Sequence, residues 1–496
     1  MTTCRRLPGG LALGLAVASL LGCEAPLAPT DVDAVMGDGR PGRLETLRAG
    51  ATTLTQLVPG RGAILALGSS TQRADQVAWQ AEPGARAWRT EATAARPCAE
   101  ARLRAWEAPL RAHPPERPRP RRLQAAPEVR VGATDRFWVV RQTAGNRALE
   151  ARIEARCLVV GSHCLVWLDT ALDAEALQDR LQEIADSFDG AVYPTTTGLF
   201  GVPLAEGGGG EARVSLLISP AVGNYGEDTT LGYFALRDLF PPDLASEDLP
   251  EVARSNHRLL LYMSPLVVGH GRPTDYLGTV AHEFQHLIGA SRRIFAPGGP
   301  RRPEAVWLDE VLSMVAMSAN GFGLNSDSTV LFSHVRTFLA APKDYSLTHW
   351  ELNPEDSAYG AAYLFGTYLV ERFGEAILQD LVDGPETGRE NLEARLAARS
   401  THFEAVFRDW MLATLLDETG FTEEPRHRYR TLALIGGRPG RRLRGVRLEQ
   451  LPLPSRATLL LKPTSMRFLA LPRGATGPFH LGFDAREARE AFLLLP

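Results

Sequence analysis

Alternating apolar and polar residues run through RFWVVRQ, ALEARIEARCLVV and HCLVWLD, the period of strands that bury one face. AEALQDRLQEIADSF then shifts to helical spacing, with Leu177, Leu181 and Ile184 on one side. GEARVSLLISP and RLLLYMSP are apolar throughout their centres, as strands covered on both faces are. The helical period returns in TDYLGTVAHEFQHLIGASRR, EAVWLDEVLSMVAMSA, YGAAYLFGTYLVERFG and FEAVFRDWMLATLLD. A sheet first and helices after predicts an α+β domain over 129–421. On one side of it TLTQLV, AILALG, QVAWQA and ARAWRT predict a small strand-rich domain over 44–111. On the other, RYRTLALIG, ATLLLKP and MRFLALP predict a C-terminal β-rich domain over 422–496. The stretch AHPPERPRPRRLQAAPE, 112–128, has too much proline for regular structure and reads as a linker.

At the N-terminus Arg5 and Arg6 precede an apolar run from Leu11 to Leu21, well short of the roughly 20 residues that span a bilayer. This predicts a signal peptide over 1–22. It ends in Leu20-Leu21-Gly22-Cys23, similar to the bacterial lipobox, so Cys23 is the expected lipidation site and 23–43, rich in Pro, Gly and Asp, the expected tether. The expected location is outside the cytoplasm, anchored in the cell membrane or outer membrane and facing periplasm or exterior. An oxidising compartment would favour a disulfide, and Cys157 and Cys164, bracketing LVVGSH with a turn at Gly161 and Ser162, are the expected pair.

Composition narrows the partners. The chain has 496 residues, 44% hydrophobic and 23% charged, which is ordinary globular usage. Its 54 basic against 58 acidic residues give a net charge of −4, so no global positive field exists to hold a polyanion, and nucleic acid is not an expected partner.

The chemistry concentrates in His282-Glu283-Phe284-Gln285-His286. Residues four apart share a helix face, so His282 and His286 can offer imidazole nitrogens to one Zn²⁺ at about 2.0 Å, with Glu283 beside a water on that ion. Val280, Ala281, Phe284, Leu287 and Ile288 make the helix apolar enough to be buried, where histidines and a carboxylate need partners. A third ligand six residues after His286 is excluded, because position 292 is arginine. Trp307-Leu308-Asp309-Glu310-Val311-Leu312-Ser313 offers a glutamate on a second helix, and Glu310 is the expected third ligand, with Asp309 pointing elsewhere.

AHEFQHLI followed by WLDEVLS, preceded by SFDG, GYF and SNHRLLLYM and followed by YGAAYLFGTYLVERFG and FEAVFRDWM, resembles the hyicolysin family of secreted neutral zinc metallopeptidases, within the gluzincins, over Val131 to Glu418. The resemblance implies a zincin-like fold and a zinc endopeptidase acting on protein or peptide. Asp309 stands where many gluzincins have the Asn of a motif NExxSD, and Met314 stands where they have an Asp that orients a ligating histidine. In related aminopeptidase-type gluzincins a tyrosine opening a Tyr-x-x-Gly helix donates its hydroxyl to the tetrahedral intermediate. Tyr359 is in similar register, with Ala362 in place of the Gly, and Tyr363 and Tyr368 are competing candidates. The rival reading is a catalytically inactive surface lipoprotein that keeps the zincin scaffold to bind protein or glycan; Met314 is what favours it.

Overall fold

The computed structural model describes residues 42–46, 52–56, 63–71, 75–81, 86–89, 104, 106–115, 129–142, 148–204, 213–222, 230–353, 358–450, 455–471, 478–484 and 490–495. Cys23, the signal peptide and residues 116–128 of the expected linker 112–128 lie outside them, while Ala112 at its start ends a helix. In chain order the N-terminal strands are β1 (Arg43–Thr46), β2 (Thr52–Gln56), β3 (Ala63–Gly68), β4 (Asp75–Ala81) and β5 (Arg86–Arg89), followed by a short helix α1 (Ala108–Ala112). Strands β6 (Thr134–Gln142), β7 (Ala148–Val160) and β8 (Cys164–Asp169) lead into helices α2 (Ala174–Ser187) and α3 (Tyr193–Phe200), which a π-helical turn at Phe188–Val192 joins. Then come β9 (Val214–Ile218), β10 (Gly232–Phe234) and β11 (Leu260–Met263). Helices follow: α4 (Pro265–His270), α5 (Pro273–Phe295), α6 (Val306–Met317), α7 (Thr329–Ala340), α8 (Ala358–Phe373), α9 (Ala376–Asp383), α10 (Gly388–Ala397) and α11 (Phe403–Leu416). The chain closes with β12 (Ile435–Gly436), β13 (Leu443–Arg444), β14 (Glu449–Gln450), β15 (Ser455–Leu461), β16 (Met466–Leu471), β17 (Pro478–Asp484) and β18 (Glu490–Leu495). The class is α+β.

The central sheet runs β10-β11-β9-β8-β7-β6, parallel across β11, β9 and β8 and antiparallel elsewhere. Both faces are covered, which is why VSLLI and LLYM are apolar at every position but one. Val166, Leu168, Leu216, Ile218, Leu261 and Met263 meet the helices, while Trp167, Leu217, Tyr233 and Tyr262 pack on the far side with Phe137 and Val139.

This two-faced sheet corrects the disulfide. Cys157 lies in the far-side core and Cys164 in the helix-side core, and both thiols are free. A one-residue bulge between Cys157 and Val159 leaves Cys157 opposite Trp167. Strand side chains alternate in direction, so neighbours on paired strands can still point apart. Burial pushes the Cys157 thiol up to about 11, and burial with the nearby Asp189 carboxylate raises Cys164 further. Neither is a ready thiolate.

The terminal strands also depart from expectation. They form not two separate domains but two five-stranded sheets, β1-β18-β3-β16-β14 and β2-β17-β4-β15-β5, in which N-terminal and C-terminal strands interleave. Strand β3, AILALG, is buried throughout and antiparallel to both β16 and β18. A run of apolar residues announces a strand, but its partners are decided by which distant edge covers it. This unit shares a core with the central domain: Ile64, Ala66, Met466 and Phe468 belong to the same apolar cluster as Phe407 and Met411 of α11.

Two glycines on α8 let helices approach closely. A Cβ at Gly366 would come within 2.6 Å of Val315 on α6, and one at Gly360 within 2.3 Å of the His334 carbonyl on α7. The start of α5 is tied to α7 by Asp275, which accepts from the Thr329 amide at 2.9 Å and from the Ser328 and Thr329 hydroxyls at 2.8 Å. Among the described residues no helix is long and apolar enough to cross a membrane.

Candidate metal centre

Helix α5 owes its rotation to its apolar side. Phe284, between the two histidines, packs on Phe188 and Tyr193 with ring centroids 4.9 and 5.6 Å away. That contact turns His282 and His286, one turn apart, toward α6. Their Nε2 atoms are 3.1 Å apart, and Glu310 Oε2 of α6 lies 3.2 Å from the first and 3.4 Å from the second. All three side chains are buried, and neither Glu310 oxygen accepts a well-formed hydrogen bond among the described residues. An ionised carboxylate so placed needs a cation. The three groups can hold a metal ion.

The local electrostatics agree. Burial opposes charge on Glu310, but the two imidazoles outweigh it and hold the carboxyl well below its ordinary range. Burial lowers the basicity of His282, against the pull of the Glu310 carboxylate. At His286 burial is overcome by the Asp309 and Glu310 carboxylates, which push its pKa up to about 10. Two carboxylates about two imidazoles stabilise positive charge at their centre.

Asp309 does not point away. Its Oδ1 is 3.1 Å from His286 Nδ1, the ring nitrogen opposite the one facing Glu310, and its Oδ2 is 3.3 Å from Arg111. Met314 is buried in the core, so the carboxylate absent from that position is supplied one residue before Glu310 instead. The Ser313 hydroxyl also lies 3.0 Å from His286 Nδ1 and donates to Gln285 Oε1 at 2.6 Å.

Glu283 is buried one residue beyond His282 on the same helix. Of the three tyrosines, the structure brings Tyr359 to the site: its ring is 6.1 Å from that of His282, against Trp350 at 5.1 Å and His334 at 5.1 Å. Tyr363 instead accepts from the Leu324 amide at 2.9 Å, and Tyr368 donates to the Arg426 carbonyl at 3.0 Å, both as framework contacts. Sequence spacing missed three neighbours: Asp309, whose adjacency to Glu310 was a usable signal; His334, which α7 carries in; and Arg104, whose Nη2 sits 3.9 Å from Glu310 Oε1 across a large separation in sequence. Neither protein-family models nor curated proteins give a match to the chain.

Proposed function

We propose that the chain is a zinc-dependent endopeptidase of zincin-like fold, exported and held at a membrane by lipid on Cys23. The observation that carries the reading is the donor set. Ligands about 2.0 to 2.1 Å from a tetrahedral zinc lie about 3.3 Å from one another, and the three donor atoms are separated by 3.1, 3.2 and 3.4 Å. Two imidazoles and one carboxylate leave a fourth position for water, the ligand count of a catalytic rather than a structural site.

Zinc held there supplies Lewis acidity, which makes water a nucleophile near neutral pH and polarises the scissile carbonyl. Glu283, next to His282, takes the proton from the attacking water and returns it to the leaving amine. Asp309 fixes the ring of His286 in the tautomer that presents Nε2. Tyr359, whose ring stands beside that of His282, would donate its hydroxyl to the carbonyl oxygen as negative charge develops on it. An extended peptide can align with β10, which ends the sheet and packs against α5.

The scaffold-only alternative draws its support from Met314; the Asp309 carboxylate beside His286 Nδ1 favours the peptidase reading over it. The test is metal content by elemental analysis, with cleavage of casein, an unstructured protein. We expect one zinc per chain, cleavage abolished by a chelator and restored by zinc, and loss of most zinc in Glu310→Gln. A wild-type chain that holds no zinc would sink the proposal.

A further inference from the structure

The candidate metal centre is buried, and the chain's own N-terminal segment reaches it. His282, Glu283, His286 and Glu310 are all buried, at 8%, 4%, 1% and 0% exposed, whereas a peptidase must admit a peptide to them. Residues of the stretch around α1 contact this site and its surroundings. Arg104 places its guanidinium 3.9 Å from Glu310, with both side chains almost fully enclosed. Glu107, also enclosed, accepts the Leu236 amide at 2.8 Å, bonds Arg104 at 3.4 Å and faces Arg111 at 3.8 Å. Arg111 continues to the Glu304 carbonyl at 2.8 Å and to Asp309. Trp106 lies under the Arg237 guanidinium, 5.3 Å from it.

Those contacts reach two different elements, the turn after β10 and the ligand-bearing helix α6. Leu236 opens the 3₁₀ turn Leu236–Leu239, two residues after the edge strand β10 ends at Phe234, and an edge strand is where an extended peptide adds. Glu310 and Asp309 belong to α6, on the metal side. The segment therefore bridges from the sheet edge to the ligand helix. It puts a fixed cation beside the carboxylate that a metal cation must share, and its own carboxylate takes the Leu236 amide just past the edge strand.

We propose that Arg104–Ala112 is an inhibitory strap: Arg104 competes electrostatically with the metal at Glu310, Glu107 occupies the edge of the substrate channel, and peptide reaches the metal only when the strap leaves. The proposal rests on the peptidase reading. The affinity for zinc and the rate are then both lowered by the fraction of chains with the strap seated.

The test uses the full chain as wild type, Arg104→Met, which keeps the apolar stem and removes the charge, and Trp106→Ala, which loosens the strap without altering charge at the metal. Zinc affinity is read by competition with a chromophoric chelator, casein cleavage by initial rate with saturating zinc, and folding by thermal melting. Arg104→Met should bind zinc at least about tenfold more tightly, and both variants should cleave at least about tenfold faster than wild type. If Arg104→Met fails to fold, the rate of Trp106→Ala decides. Equal rates in wild type and folded variants, or a slower Arg104→Met, overturn the strap and leave the peptidase reading standing. Zinc bound by every form with casein cut by none overturns the peptidase reading and the strap with it.

Discussion

In the proposed mechanism Glu283 and Asp309 do different work, and substitution separates them. Glu283→Gln keeps the size of the side chain and removes the proton acceptor, so zinc content should hold while casein cleavage falls by about 10²- to 10⁴-fold relative to the parent chain. Equal cleavage by mutant and parent would end the general-base assignment. Asp309→Asn leaves the shape but takes away the carboxylate that faces His286 Nδ1. Zinc should then bind about 10- to 100-fold more weakly in chelator competition; an unchanged constant would mean that Ser313, 3.0 Å from the same nitrogen, suffices to orient the ring.

At the scale of elements, the site depends on how closely three helices stack. Helix α8 carries Tyr359 in its first turn, and its distance from α7 and α6 is set at Gly360 and Gly366. Gly366→Leu would press side-chain atoms into Val311 and Val315, on the helix that holds Glu310. Overpacking of this kind costs about 1 to 3 kcal/mol, so the urea midpoint should fall and zinc binding should weaken with it. A variant as stable as wild type would show that α6 and α8 can part without disturbing the ligand helix.

On the scale of the whole molecule, the interleaved terminal strands make the N-terminal region dependent on the C-terminal one. Removing residues 446–496 takes away β16 and β18, the two partners of β3. Hydrogen exchange should show the amides of β3 losing their protection, because apolar strands without partners expose both faces and unpaired backbone. Protection retained in the truncated chain would restore the two-domain reading of the termini. Location is a separate matter resting on Cys23: labelled palmitate should enter the wild type and not Cys23→Ser, with the wild type partitioning into detergent. An unlabelled wild type would describe an ordinary secreted protein.

The sequence by itself determined the α+β order of elements, the helices over the HExxH and WLDEV segments, and the grouping of His282, His286 and Glu310, which can hold a metal ion, because periodicity and i,i+4 spacing are local and a helix face follows from them directly. Direction across paired strands is not local. A bulge at Cys157 sent two cysteines expected to pair onto opposite faces of the sheet. The contact of Asp309 with His286 depended on which side of α6 meets that histidine, and the placing of Arg104 beside Glu310 and of Glu107 on the Leu236 amide depended on where a segment far away in sequence comes to rest. Tertiary structure alone decided these, since buried charges take whichever partners the packed chain brings within reach.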